Sequence, residues 1–156
     1  MSAEFETPIG DHRPIVVGYD GRDESERALD LALAEARLRS AAVVAVVVAA
    51  LPTEWVDPYD TGMAIGPTTP IPIDGPAEVQ PYLEHVRRRL SETGIPGEVV
   101  WGFGDPVGEI IRVADERQAG LIVVGTHHHS RLGRMLGADI AASVGREAHC
   151  DVIVAR

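Results

Sequence analysis

The sequence predicts an α/β fold, a single doubly wound parallel sheet with helices on both faces. Three observations lead there. Short runs of aliphatic residues alternate along the chain with stretches whose apolar residues recur at helical spacing. The run Gly120-Leu-Ile-Val-Val-Gly125 is unbroken by polar residues and bounded by glycines, as expected of a strand buried on both faces. Ala42 to Ala50 is a second such run, rich in valine and bare of charge. Ligands of these sheets bind just outside the carboxyl ends of the strands. Thr126 to Asp139, which follows the Gly120 strand, is therefore the first place to look for function.

Each element has its own justification. Residues 1–13 are polar and are expected to form a flexible N-terminal segment before a domain spanning 14–156. Pro14-Ile-Val-Val-Gly-Tyr19 reads as a short buried strand with Asp20-Gly21 as its turn. A helix begins near Asp23, where Asp23 and Glu26 have the spacing of a capping box. Its residues Leu29, Ala32, Leu33 and Ala36 follow the spacing i, i+3, i+4, i+7. After the Ala42 strand, residues 51–76 break the rhythm with repeated proline and glycine. Such a segment is either a functional lid or surface loop, or a disordered insertion. A helix resumes near Ala77, with Val79, Tyr82, Leu83, Val86 and Leu90 on one apolar stripe and Arg87-Arg-Arg89 on a solvated face.

Gly97-Glu-Val-Val-Trp-Gly-Phe103 alternates enough to be a strand at a sheet edge. Asp105-Pro106 reads as an N-cap followed by proline at the first helical position, with Val107, Ile110, Ile111 and Ala114 as the buried face. After the Gly120 strand and its loop, a last helix carries Ile140, Ala141, Val144 and Ala148. Asp151-Val-Ile-Val-Ala155 closes the chain as a fifth strand.

Composition excludes several functions. The 156 residues suit one domain, and 45% hydrophobic content with a mean hydropathy of +0.02 suits a globular chain. A formal net charge of −10 argues against nucleic-acid or anionic-membrane partners, which require clustered Lys and Arg. The single cysteine, Cys150, rules out an intrachain disulfide framework and fits a reducing compartment. No signal-peptide pattern opens the chain, and the run from Ala41 to Leu51 is too short to span a bilayer, so a cytoplasmic location is expected.

Catalytic signatures are sparse. His127, His128 and His129 follow the fourth strand, and imidazoles beside carboxylates can hold zinc. Adjacent side chains in extended backbone point different ways, however, and no H-x3-H spacing is present, so no metal site is expected. No serine nucleophile elbow or activated cysteine is visible, and Cys150 reads as a small hydrophobe. Trp55 and Trp101 read as loop and packing residues.

Val16-Val-Gly-Tyr-Asp-Gly21, Gly104-Asp-Pro106, Leu121-Ile-Val-Val-Gly-Thr-His127 and Ala148-His-Cys-Asp-Val-Ile-Val154, in this order and spacing, resemble the universal stress protein family over about residues 13–156. The resemblance implies a sheet of order 3-2-1-4-5, a homodimer and, in one branch, a site for ATP or AMP. It also implies a stress-response binding and regulatory protein without strong catalytic activity, the alternative being a nucleotide binder with slow hydrolysis. The ATP branch resembles G-x2-G-x9-G-[ST] after the fourth strand, and only Gly125 matches it. The second glycine falls on His128, the third on Ala138 and the hydroxyl position on Asp139. A one-residue deletion would instead place Gly137 third; the register without a gap is preferred.

These departures have physical consequences. His128 would put an imidazole where a phosphate should meet bare backbone. Asp139, as an N-cap worth about 0.5–2 kcal/mol, would satisfy the helix start with the protein's own charge. A triphosphate beside it would meet a like charge, at a cost of about 1 kcal/mol or more. The adenosine half is better preserved. By the resemblance, Asp20 corresponds to an acid near base and ribose, although as a turn acid before Gly21 it also has an ordinary explanation. Val48 corresponds to a residue whose backbone meets adenine, and is a core strand valine on any reading.

In the implied order the fifth strand is an edge. Asp151, Val152, Ile153, Val154 and Ala155 carry no lysine, proline or bulge glycine to blunt it. A second copy pairing there about a two-fold axis is therefore expected, and proline at Ile153 should break that ladder.

Overall fold

A computed structural model describes residues 12–49, 76–126 and 139–156 of the chain. Five strands form one parallel sheet: β1 (Ile15–Gly18), β2 (Val43–Ala49), β3 (Gly97–Phe103), β4 (Leu121–Gly125) and β5 (Asp151–Ala155). Their spatial order is β3-β2-β1-β4-β5, and all four neighbouring pairs are parallel. Four helices accompany them: α1 (Asp23–Arg39), α2 (Gln80–Thr93), α3 (Pro106–Glu116) and α4 (Ile140–Glu147). The expected fold class and strand order are those observed. The Pro/Gly-rich stretch falls almost entirely outside the described residues, as do the first eleven residues and residues 127–138.

Two apolar layers sandwich the sheet because successive strand residues face opposite sides. On one face Ile15, Val17, Val43, Ala45, Leu121 and Val123 pack against Leu29 and Leu33 of α1 and Leu83 and Val86 of α2. On the other, Val16, Val44, Val46, Ile122 and Val124 pack against Val107, Ile110 and Val113 of α3 and Val144 of α4. Fully burying a Val, Leu or Ile side chain contributes roughly 1.5–3 kcal/mol, which explains why the central strands read as continuous valine and isoleucine.

Several local devices differ from the sequence expectation. α1 has no capping box, because its N-cap is Arg22, whose side chain makes no cap bond. The chain enters α1 through other bonds. The Asp20 carboxylate accepts from Arg22 N at 3.1 Å, and the Ser25 hydroxyl accepts from Asp20 N while donating to the Arg22 carbonyl. α3 starts as expected, with the Asp105 carboxylate accepting from Val107 N and Gly108 N and Pro106 in the first turn. Arg89 is not merely a solvated charge, since its guanidinium bridges Glu26 and Asp30 of α1.

The sheet has two edges, β3 and β5. On β5 the Ala155 carbonyl accepts from Thr126 N at 3.0 Å and so faces β4. Backbone groups alternate sides along a strand, so those of Ile153 also face β4, whereas those of Val152 and Val154 face the open edge. Proline at Ile153 would therefore strike the β4 ladder within the sheet; the edge-facing donors are Val152 and Val154.

Candidate functional site

Parallel strands connected by crossover helices bring the chain out of each strand at one end of the sheet, and ligands of such sheets bind there. Register places the candidate residues at that end. Gly18 stands opposite Val46, so Asp20 and Val48 each lie two residues further on, level with one another. Val17 stands opposite Val123, so Tyr19 is level with Gly125. Asp20, Val48 and Gly125 thus belong to the carboxyl ends of three neighbouring strands, β1, β2 and β4. Asp139 begins α4, the helix that follows β4. His128, Gly137 and Ala138 lie outside the described residues, as do His127 and His129.

Each of these positions has a local physical account. Asp20 is half-buried, and its carboxylate is engaged in the turn by the Arg22 amide and lies 3.7 Å from the Arg22 guanidinium. Val48 packs its side chain on the α3 and α4 face of the sheet. Its backbone tells more. The Val46 carbonyl accepts from Tyr19 N and so points toward β1, and by alternation the Val48 backbone points the same way, where β1 has already ended. Gly125 approaches α1 so closely that a Cβ there would lie 2.6 Å from the carbonyl carbon and oxygen of Glu24. The glycine is therefore required for helix–strand packing, whatever else it does.

Asp139 is the N-cap of α4, its carboxylate accepting from Ala142 N at 3.3 Å. The first turn of α1 is also acidic, with Asp23, Glu24 and Glu26. Two helix starts at this end of the sheet are thus already supplied with protein carboxylate, which is favourable against the helix dipole and unfavourable for added negative charge.

Behind the Asp20 turn lies a cluster that sequence reasoning did not single out. Tyr19 is buried, and its hydroxyl donates to Glu26 at 2.8 Å. Glu26 also receives His85 Nε2 at 3.0 Å and the Arg89 guanidinium, both from α2. The Tyr19 ring stacks on His85 with centroids 5.7 Å apart and meets Tyr82 edge-on at 6.4 Å. Burial, then the Glu26 hydrogen bond and charge, hold the Tyr19 phenol neutral far above the ordinary phenol range. The only trace in the sequence was Tyr82 in an otherwise aliphatic stripe.

At the opposite end of the sheet, Cys150 precedes β5 beside His149, whose Nδ1 lies 3.1 Å from Asp115. Cys150 is half-buried, and burial together with the Asp151 charge raises its pKa, leaving it a poor nucleophile. Among the described residues no group of three or more His, Cys, Asp or Glu is placed to hold a metal ion, and no helix is long and apolar enough to cross a membrane.

Comparison with known proteins identifies the family to which this fold belongs. Residues 12–156 match the profile of the Universal stress protein family. A universal stress protein of Mycobacterium tuberculosis is 30% identical, over 92% of this chain and 95% of its own length. One from Methanocaldococcus jannaschii is 29% identical, over 93% of this chain and 82% of its own. Among solved structures, a universal stress protein in complex with cAMP superposes with a TM-score of 0.67 at 27% identity, covering 92% of this chain and 96% of its own. The Archaeoglobus fulgidus protein in complex with dAMP superposes with a TM-score of 0.61 at 29% identity, covering 92% and 97%. From the first strand to the last, this chain belongs to the universal stress protein family.

Proposed function

We propose that the protein is a regulatory binder of adenine nucleotides that takes a short phosphate chain and disfavours ATP. The observation that carries this reading is the Asp139 carboxylate capping α4. The relatives solved with cAMP and dAMP support the adenosine half. So does the level placement of Asp20 and the inward-facing Val48 backbone at the ends of β1 and β2. A half-buried carboxylate accepts from ribose hydroxyls or an exocyclic amine, and free backbone groups read the base edge. Gly125 sits at the same end of the sheet. His128, Ala138 and Asp139 stand where an ATP-binding relative would place its glycines and hydroxyl, and Gly137 would take the third glycine position in the shifted register. A bulky imidazole and a carboxylate there oppose a triphosphate.

Around this site we place a single domain acting in the cytoplasm as a homodimer joined through β5. The open edge supports the dimer: the backbone groups of Val152 and Val154 face outward, and the Val154 side chain is 37% exposed. Catalysis has no evident residue among those described.

Calorimetry tests the reading directly. AMP or cAMP should bind at least about tenfold more tightly than ATP with magnesium, a difference of about 1.4 kcal/mol. ATP itself should bind no more tightly than roughly millimolar, or about −4 kcal/mol. Micromolar ATP binding would overturn the reading, and so would the absence of binding by both monophosphates. Asp139→Ser combined with Ala138→Gly and His128→Gly should raise ATP affinity.

A further inference from the structure

The Asp20 turn is held from outside by Tyr82, a residue of α2 distant in sequence. Gly21 has a φ of +79°, and a Cβ there would overlap the ring of Tyr82, lying 2.8 Å from its Cδ1. The Tyr82 ring thus rests directly on the Gly21 backbone, the residue after Asp20. On its other flank Tyr82 meets Tyr19, the residue before Asp20, edge-on. Tyr19 is in turn fixed by its hydrogen bond to Glu26 and by the stacked His85. The two neighbours of Asp20 are therefore both in contact with one aromatic ring, which α2 delivers.

α2 itself is anchored independently. Leu83, Val86 and Leu90 are buried in the core, while Arg89 and His85 reach across to Glu26 on α1. Tyr82 is 37% exposed and stands outside the buried core cluster that Leu83, Val86 and Leu90 join. A ring that stands outside that cluster yet closes over a left-handed turn acts on the turn more than on the fold.

From this geometry we infer that Tyr82 is a positioning residue for the nucleotide site: it clamps the Tyr19–Arg22 turn so that the Asp20 carboxylate is held ready for ligand. The inference rests on the adenine-nucleotide reading above and adds to it a residue that does not touch the ligand. The hydroxyl of Tyr82 has no part in the clamp, so phenylalanine should serve as well as tyrosine. Alanine removes the ring and leaves the turn to its remaining bonds, among them the Asp20–Arg22 and Ser25 contacts. If the loosened turn holds the competent geometry about one-tenth of the time, apparent affinity falls by about tenfold, because dissociation constants scale inversely with the competent fraction.

The experiment measures AMP binding and amide hydrogen exchange for wild type, Tyr82→Ala, Tyr82→Phe and Asp20→Ala. The inference expects Tyr82→Ala to bind AMP about tenfold more weakly and to exchange the amides of residues 20–22 faster without nucleotide, while core strand amides stay protected. Tyr82→Phe should match wild type on both counts. Wild-type affinity in Tyr82→Ala, or a Tyr82→Phe variant as weak as Tyr82→Ala, would overturn the clamp and leave the nucleotide reading standing. Wild-type protein that fails to bind AMP, or binding indifferent to Asp20→Ala, would overturn the Asp20 site itself and the positioning role with it. Loss of core protection in Tyr82→Ala would show a general structural role and refute the inference.

Discussion

Replacing Gly125 with alanine separates a packing glycine from a phosphate-binding one. The new Cβ would sit 2.6 Å from the carbonyl carbon and oxygen of Glu24 and 2.9 Å from its Cβ. Ordinary contact begins near 3.4 Å, so β4 and the first turn of α1 would have to separate by about 0.8 Å. Two of the three opposing atoms are backbone, in a helix held by fully buried Ala28 and Leu29, so no side-chain rotation relieves the overlap. Overpacking costs about 1–3 kcal/mol, and the rigid neighbour places this case near the top of that range. The φ of Gly125 is not positive, so alanine brings no backbone strain and recovers about 0.4–1 kcal/mol by restricting the unfolded chain. The net loss is about 2 kcal/mol, or a melting temperature lower by roughly 4–8 °C for a chain of this size. Gly145 is the control. It lies within α4, and nothing would stand within 4 Å of its Cβ. Alanine there should stabilise by about 0.5–1 kcal/mol. Thermal unfolding followed by circular dichroism, without nucleotide, decides the matter. A Gly125→Ala variant as stable as wild type would refute the packing account and return this glycine to a purely ligand-facing role.

Asp139→Ala removes the bond to Ala142 N and should destabilise by about 1 kcal/mol in denaturant titration, within the usual range for a lost N-cap. Tyr19 should impose an alkaline limit. Its folded-state pKa is raised while the unfolded phenol titrates near 10, so its stabilisation is complete below about pH 10 and is lost as pH rises further. Denaturation midpoints measured between about pH 8 and 11 should fall more steeply for wild type than for Tyr19→Phe; parallel curves would contradict this. Val154→Pro removes a donor facing the open edge of β5 and should yield monomers in analytical ultracentrifugation with the thermal transition largely retained. A dimer undisturbed by Val154→Pro, or wild-type monomer at micromolar concentration, would exclude that interface.

The layered architecture was legible from the residues alone. Uninterrupted runs such as Val43–Ala49 and Leu121–Gly125 have no polar residue to offer solvent, so they must lie inside a sheet covered on both faces. Asp105-Pro106 and Asp139 announced helix starts because their chemistry acts within three residues, and the structure places a cap bond at each. What chain-local chemistry cannot carry is contact between distant elements. Asp23 and Glu26 have capping-box spacing, yet Glu26 turns to Tyr19, His85 and Arg89, because a buried phenol and two side chains of α2 offer it more partners than one amide would. Arg89 sits in a run of three arginines that reads as solvated, and only the packing of α2 on α1 singles it out. Gly125 matched a phosphate motif, but its glycine is also demanded by the Glu24 backbone, a close approach that exists only once α1 crosses β4. The outward groups of β5 are those of Val152 and Val154 and not Ile153, a parity set by which carbonyl Thr126 meets. Short-range periodicity and capping depend on neighbours along the chain and are written there; facing partners depend on how helices settle on the sheet, and that is decided by tertiary packing.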